Sequence, residues 1–160
     1  MEKFLPKRAR SNTDKRSGTV FGCFWIKPSK VVNDWTAVFQ KGSKNTMRGP
    51  GVFFIPKTFK LHSRTATNKH WNDGCNAKSG LAINKWSHVY VQFAPGFAWI
   101  YINGKGNNRC KIGKKLHLNW APLYLGSPWY KSANASIRNL RYHNGRLTIQ
   151  QIVKVMNNQL

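Results

Sequence analysis

The sequence predicts an all-β fold: an antiparallel two-sheet β-sandwich closed by one short C-terminal helix. Three observations predict it. From Thr19 onward aromatic and β-branched residues alternate with polar ones in short runs, and Gly, Pro and Asn punctuate the gaps. Helical spacing is confined to the C-terminal end, and no strand–helix–strand alternation is present. A chain of 160 residues suits one domain and one core, and 41% hydrophobic residues are too many for disorder.

Residues 1–18 carry six Lys/Arg and two acids, the composition of a basic arm; the same composition suits an organelle transit peptide. The folded domain is expected over 19–160. Strands are expected near 19–27, 35–41, 51–56, 58–66, 86–93, 97–103, 122–126 and 134–143. The clearest hairpin joins Trp86–Phe93 to Phe97–Ile102 through Ala94-Pro95-Gly96. At the end, Thr148 and Gln151 form a capping box ahead of Ile149, Ile152, Val153 and Met156, which predicts a helix whose apolar stripe packs on the sandwich rim.

Charge is the unusual property. Of 27 Lys/Arg, 21 lie beyond residue 18, where the only acids are Asp34 and Asp73, and the formal net charge is +23. Self-repulsion of that size is relieved by an acidic or polyanionic partner. Candidate contacts are Lys7, Arg8, Arg10, Lys15 and Arg16 in the arm, and Arg109, Lys111, Lys114 and Lys115 in a loop expected after the hairpin. Contacts of this kind neutralise phosphates without reading sequence and weaken with salt. No RNP, GxxG or helix-turn-helix motif is present, so any nucleic-acid contact is expected to be non-specific and backbone-directed.

Cys23, Cys75 and Cys110 are odd in number and lack CxxC spacing, so they are expected to be buried free thiols in a reducing compartment. No apolar run is long enough to span a membrane, and the N-terminus lacks the apolar stretch of a secretory signal; a protein made in the cytosol is expected.

One ordered set of segments goes beyond pattern: Phe21-Gly22-Cys23-Phe24-Trp25-Ile26, Trp35-Thr36-Ala37-Val38-Phe39, Pro50-Gly51-Val52-Phe53-Phe54, Trp86-Ser87-His88-Val89, Ile100-Tyr101-Ile102-Asn103-Gly104 and Ile137-Arg138-Asn139-Leu140. On these, from about Gly18 to Asn157, the chain resembles the concanavalin A-like, laminin-G-like jelly-roll family. Pro50-Gly51-Val52-Phe53-Phe54 and Leu125-Gly126-Ser127-Pro128-Trp129-Tyr130 are similar to laminin-G-like proteins encoded by large DNA viruses, some of them minor capsid components. The chain departs from the family after Tyr142, where an acidic loop is replaced by Asn144-Gly145-Arg146.

Glycosidases on this fold need two carboxylates, about 5–5.5 Å apart for retention or about 6.5–9.5 Å for inversion. Beyond residue 18 there is no Glu, and Asp34 and Asp73 fall in expected loops, so catalysis is not expected. Asp73 in Asn72-Asp73-Gly74 is short of the oxygens a calcium ion wants and reads as a turn residue. His70 with Cys75 lacks metal-ligand spacing, and no cofactor or metal is expected. Trp71, Trp120, Trp129 and Tyr130 lie in expected loops and are candidates to stack on sugar rings; Trp120 and Trp129 would serve as well to pack the sheet rims.

The resemblance and the charge together imply a non-catalytic structural or binding module of a large assembly. The first expectation is a minor capsid protein in the virion of a large DNA virus, assembled in host cytoplasm and docked on other capsid proteins. Two alternatives stand beside it: a basic protein of a ribonucleoprotein particle such as a divergent mitochondrial ribosome, and a carbohydrate-binding lectin.

Overall fold

The computed structural model describes residues 3–4 and 18–159. The arm cations Lys7, Arg8, Arg10, Lys15 and Arg16 lie outside the described residues. Among the described residues twelve strands and one helix follow in order: β1 (Lys3–Phe4), β2 (Val20–Pro28), β3 (Thr36–Lys41), β4 (Gly51–Phe54), β5 (Leu61–Thr65), β6 (Asp73–Asn76), β7 (Ser87–Ala94), β8 (Phe97–Ile102), β9 (Lys105–Lys111), β10 (Leu123–Leu125), β11 (Lys131–Ser132), β12 (Ala135–Asn144) and α1 (Ile149–Met156).

Two sheets result, as the sequence predicts. One runs β1-β10-β3-β4-β5-β6, with β11 added alongside β3; the other runs β12-β2-β7-β8-β9. Every pairing is antiparallel except that of β11 with β3. Period-2 alternation drives the stacking: Val20, Phe24 and Ile26 of β2 and Val89, Val91 and Phe93 of β7 face Val52 and Phe54 of β4 and Leu61 of β5 across one apolar core. The expected hairpin is present, with Ala94 paired to Phe97.

Four short or polar strands were not anticipated: β1, β6, β9 and β11. The corrections that matter follow from β6 and β9. Each is the last strand of its sheet, and at that shared edge Cys75 and Cys110 approach to 5.4 Å between Cα atoms and form a disulfide, contrary to the expectation of free thiols. The stacking of the two sheets, rather than sequence spacing, creates the pair. A cross-link over 35 residues of sequence restricts the unfolded chain by about 3–4 kcal/mol. Cys23 alone is free, and burial pushes its thiol up to about 11, so it is inert.

The helix also departs from expectation in its seat. Thr148 caps it and the capping box with Gln151 is formed, but α1 lies on the outer face of the five-stranded sheet rather than on a rim. Its fully buried Ile152 packs there on Phe21, Cys23 and Tyr90.

Candidate functional site

The alternation that sends Val52, Phe54 and Leu61 into the core turns Phe53 of β4 and His62 of β5 outward, where they are cross-strand neighbours. Over them the connecting loops build walls. Gln40, fully buried, donates through Nε2 to the carbonyls of Gly42 and Lys44 and accepts from Ser127 Oγ; Ser127 in turn accepts from the backbone N–H groups of Trp129 and Tyr130. One amide side chain thus ties the β3–β4 loop to the loop before β11. Gly42, at φ +130°, lets the first loop fold tightly, since a Cβ there would meet the Met47 carbonyl. A third wall, residues 67–72, is shaped by Thr67 Oγ1, which accepts from the Lys69 and His70 N–H groups and donates to Asp73.

These walls enclose a pocket of about 180 Å³ lined by Trp35, Arg48, Phe53, His62, Trp71, Asn72 and Tyr130. Arg48 dominates it. Only 3% exposed, it is held by its carbonyl, which accepts from Ala66 N–H and Thr65 Oγ1. Its guanidinium sits 4.7 Å from the Phe53 ring centre, 5.0 Å from Trp71 and 5.9 Å from Tyr130. It donates to Asn72 Oδ1, to Asn45 Oδ1 at 2.7 Å and to the Tyr130 hydroxyl at 3.3 Å. The His62 ring lies 4.6 Å from Trp35, tilted 57° to it, and donates from Nδ1 to Asn76 Oδ1 at 2.8 Å; the same oxygen accepts from Arg64 Nη2 at 2.7 Å.

The electrostatics are lopsided. Burial holds Arg48 below its usual value, partly offset by Tyr130. Burial, then repulsion by Arg48, pushes Arg64 down to about 10, with Asp73 pulling the other way. Burial, then the Arg64 charge, pushes His62 down to about 4, so its imidazole is neutral at pH 7. All the hydrogen-bond acceptors of Arg48 and Arg64 described above and at the Ser63 carbonyl are neutral, and the Nε atoms of both arginines are buried without a partner among the described residues.

Of the residues predicted to stack on sugars, Trp71 and Tyr130 line the pocket. Trp120 and Trp129 do not; they are 101% and 60% exposed, so neither packs a rim. Arg109 and Lys111 lie on β9 of the other sheet, a correction to the expected loop, and Lys114 and Lys115 follow in an exposed loop. Asp73 opens β6, where its Oδ2 accepts from Thr67 Oγ1 and Gly113 N–H at 2.8 Å each, a structural clasp. Cys75, paired with Cys110, is removed from any metal site with His70. Among the described residues no three His, Cys, Asp or Glu side chains converge.

Across residues 9–153 the sequence matches the laminin G-like family model described as the concanavalin A-like lectin/glucanases superfamily. The chain belongs to that superfamily. Among curated proteins none matches it in sequence. Solved structures match its fold. The binding domain of botulinum neurotoxin DC in complex with SialylT has a TM-score of 0.68 at 18% identity, covering 89% of this chain and 36% of that one. A botulinum neurotoxin type C structure, described as entering cells through two ganglioside molecules, has a TM-score of 0.65 at 19% identity over 89% of this chain and 36% of its own. The Trypanosoma rangeli sialidase has a TM-score of 0.63 at 12% identity, over 88% of this chain and 23% of its own. This superfamily domain therefore spans about a third or less of those chains, and the likeness is one of fold.

Within this superfamily domain, Arg48, His62, Asn72, Trp35 and Phe53 escaped the sequence reading. The outward phase of β4 and β5 could have flagged Phe53, His62 and Arg64; nothing local marks Arg48, which sits alone in a Gly/Pro turn.

Proposed function

We propose that this chain is a carbohydrate-binding module, and that the pocket above the seven-stranded sheet receives a sugar ring. The observation that carries this reading is the arrangement of Trp35, Trp71 and Tyr130 around Arg48, with Asn72 and the neutral His62 as directional polar groups. Aromatic faces suit the C–H faces of a pyranose, and a few fixed polar groups orient its hydroxyls. The pocket has no carboxylate in its lining, so the two-carboxylate chemistry of glycoside hydrolysis has no residues there. Structural neighbours described with SialylT or with gangliosides support a binding role on this fold.

Screening on a glycan array followed by calorimetry tests the reading. Trp71→Ala and Tyr130→Ala should each weaken the best oligosaccharide about tenfold or more, while Trp120→Ala, outside the pocket, changes nothing. A folded protein that binds no glycan at millimolar concentration ends the proposal. Docking in a virion or other assembly is a second reading, supported by the cations exposed on β9 and in the loop after it; co-sedimentation with acidic partner proteins that weakens with salt is its measure.

A further inference from the structure

We infer that the pocket selects an acidic glycan, a sugar bearing a carboxylate or a sulfate ester whose anion is seated against Arg48 and Arg64. This rests on the sugar-binding reading and adds the charge of the ligand. Two guanidinium groups meet at one pocket: Arg48, 3% exposed, lines it, and the half-buried Arg64 stands close enough to repel it; their hydrogen bonds run to Asn45, Asn72, Asn76, Tyr130 and a backbone carbonyl. Charges buried in proteins are ordinarily paired, because amide oxygens return only part of the hydration a cation gives up. Here Asp73, the nearest acid by its effect on Arg64, is already committed to Thr67 and Gly113.

The arrangement is therefore short of one negative charge at the place where a ligand enters. Among the described residues each arginine keeps an unpartnered Nε, and Arg64 is tied to His62 of the pocket lining through Asn76, whose Oδ1 accepts from both. An arriving carboxylate or sulfate would relieve the repulsion between Arg48 and Arg64 and, against the buried Arg48, bind more strongly than on the surface. The rings of Trp71, Trp35 and Tyr130 hold the sugar body, and the anion supplies the polarity those rings lack. The general charge of +23 concentrates any anion near the protein, so the test must separate the site from the field.

Three sets of probes do so by calorimetry at physiological salt: neutral oligosaccharides, carboxylated ones containing uronic or sialic acid, and sulfated ones. Either acidic set, or both, should bind at least about tenfold tighter than the neutral set, and the set that binds identifies the anion. Arg64→Gln, at a half-exposed strand position, should remove that advantage with the β-sheet signal unchanged; Arg48→Gln should do the same where it folds. Lys30→Gln combined with Lys85→Gln removes more charge from exposed positions outside the pocket lining and should leave the affinity within about twofold. Neutral sugars bound as tightly as acidic ones would overturn the inference and spare the sugar-binding reading. An equal loss in the Lys30/Lys85 variant, or a single-stranded oligonucleotide outcompeting every sugar, would also overturn it. No glycan bound at all sinks both.

Discussion

Both outer faces of the sandwich set guanidinium groups on aromatic rings, and they do so under opposite conditions of solvation. On the seven-stranded sheet Arg48 is buried among Phe53, Trp71 and Tyr130 and spends its hydrogen bonds on neutral groups. On the five-stranded sheet, flanking α1, Arg138 covers Trp86 at 4.3 Å and Trp25 at 5.3 Å, Arg109 covers Phe97 at 3.9 Å, and Arg146 covers Trp99 at 5.4 Å; all three arginines are exposed. An exposed pair is surface cover, with water hydrating the guanidinium and dissolved ions screening its charge. A buried pair leaves that charge to be supplied by something else. The contact distance is alike; burial is what separates the two faces.

Acidification should strike both faces at once and have the largest effect. His62 on one face and His88 on the other are each held at about 4 by burial, then by Arg64 and by Arg141 respectively. The unfolded imidazoles titrate near 6.5. Stability is therefore fully present above about pH 6.5 and is lost as pH falls toward 4, most steeply near pH 5, where the unfolded chain binds nearly two more protons. Urea midpoints between pH 7 and 4.5 should fall steadily; a flat profile would show that these imidazoles are solvated. An acidic sugar should move the His62 ring resonances and leave those of His88 in place.

Ile152→Ala should cost about 2–4 kcal/mol, because it strips the one fully buried side chain of α1 from Phe21, Cys23 and Tyr90. Arg48→Ala should cost about 2–3 kcal/mol by leaving Asn45, Asn72 and Tyr130 without their donor. Thr148→Ala removes the helix cap and should cost about 1 kcal/mol. Arg138→Ala, the exposed counterpart of Arg48, should cost less than about 1 kcal/mol. Equal losses at Arg48 and Arg138 in chemical denaturation would erase the contrast between the faces.

Most of the sandwich was legible in the sequence because period-2 alternation reports burial directly. β2, β3, β7, β8 and β12 carry enough apolar side chains on their inward phase to be seen, and Thr148 with Gln151 announces α1. β9 reads Lys-Gly-Asn-Asn-Arg-Cys-Lys: an edge strand with polar residues in both phases gives no such signal, so Arg109 and Lys111 were placed in a loop. The pocket was half legible. Trp71 and Tyr130 stand out as aromatics in loops, but Arg48 meets Tyr130 where the buried Gln40 draws two distant loops together, and Trp71 comes from a third loop shaped by Thr67. Cys75 and Cys110 were missed for the same reason, a meeting across sheets.

That covalent tie should make any parting of the two layers asymmetric. With β6 and β9 fastened, the layers cannot part at that edge; the far edge, where β12 touches the other layer through the Tyr142 hydroxyl on the Gly49 carbonyl at 3.3 Å, has no such fastening. Sub-global opening is thus book-like, with its spine at the disulfide, so amide protons of β10 and β12 exchange before those of β5 and β8. The pocket wall of residues 67–72, between β5 and β6, sits on the spine side, so Trp71 and Asn72 should hold their places while the opposite edge opens.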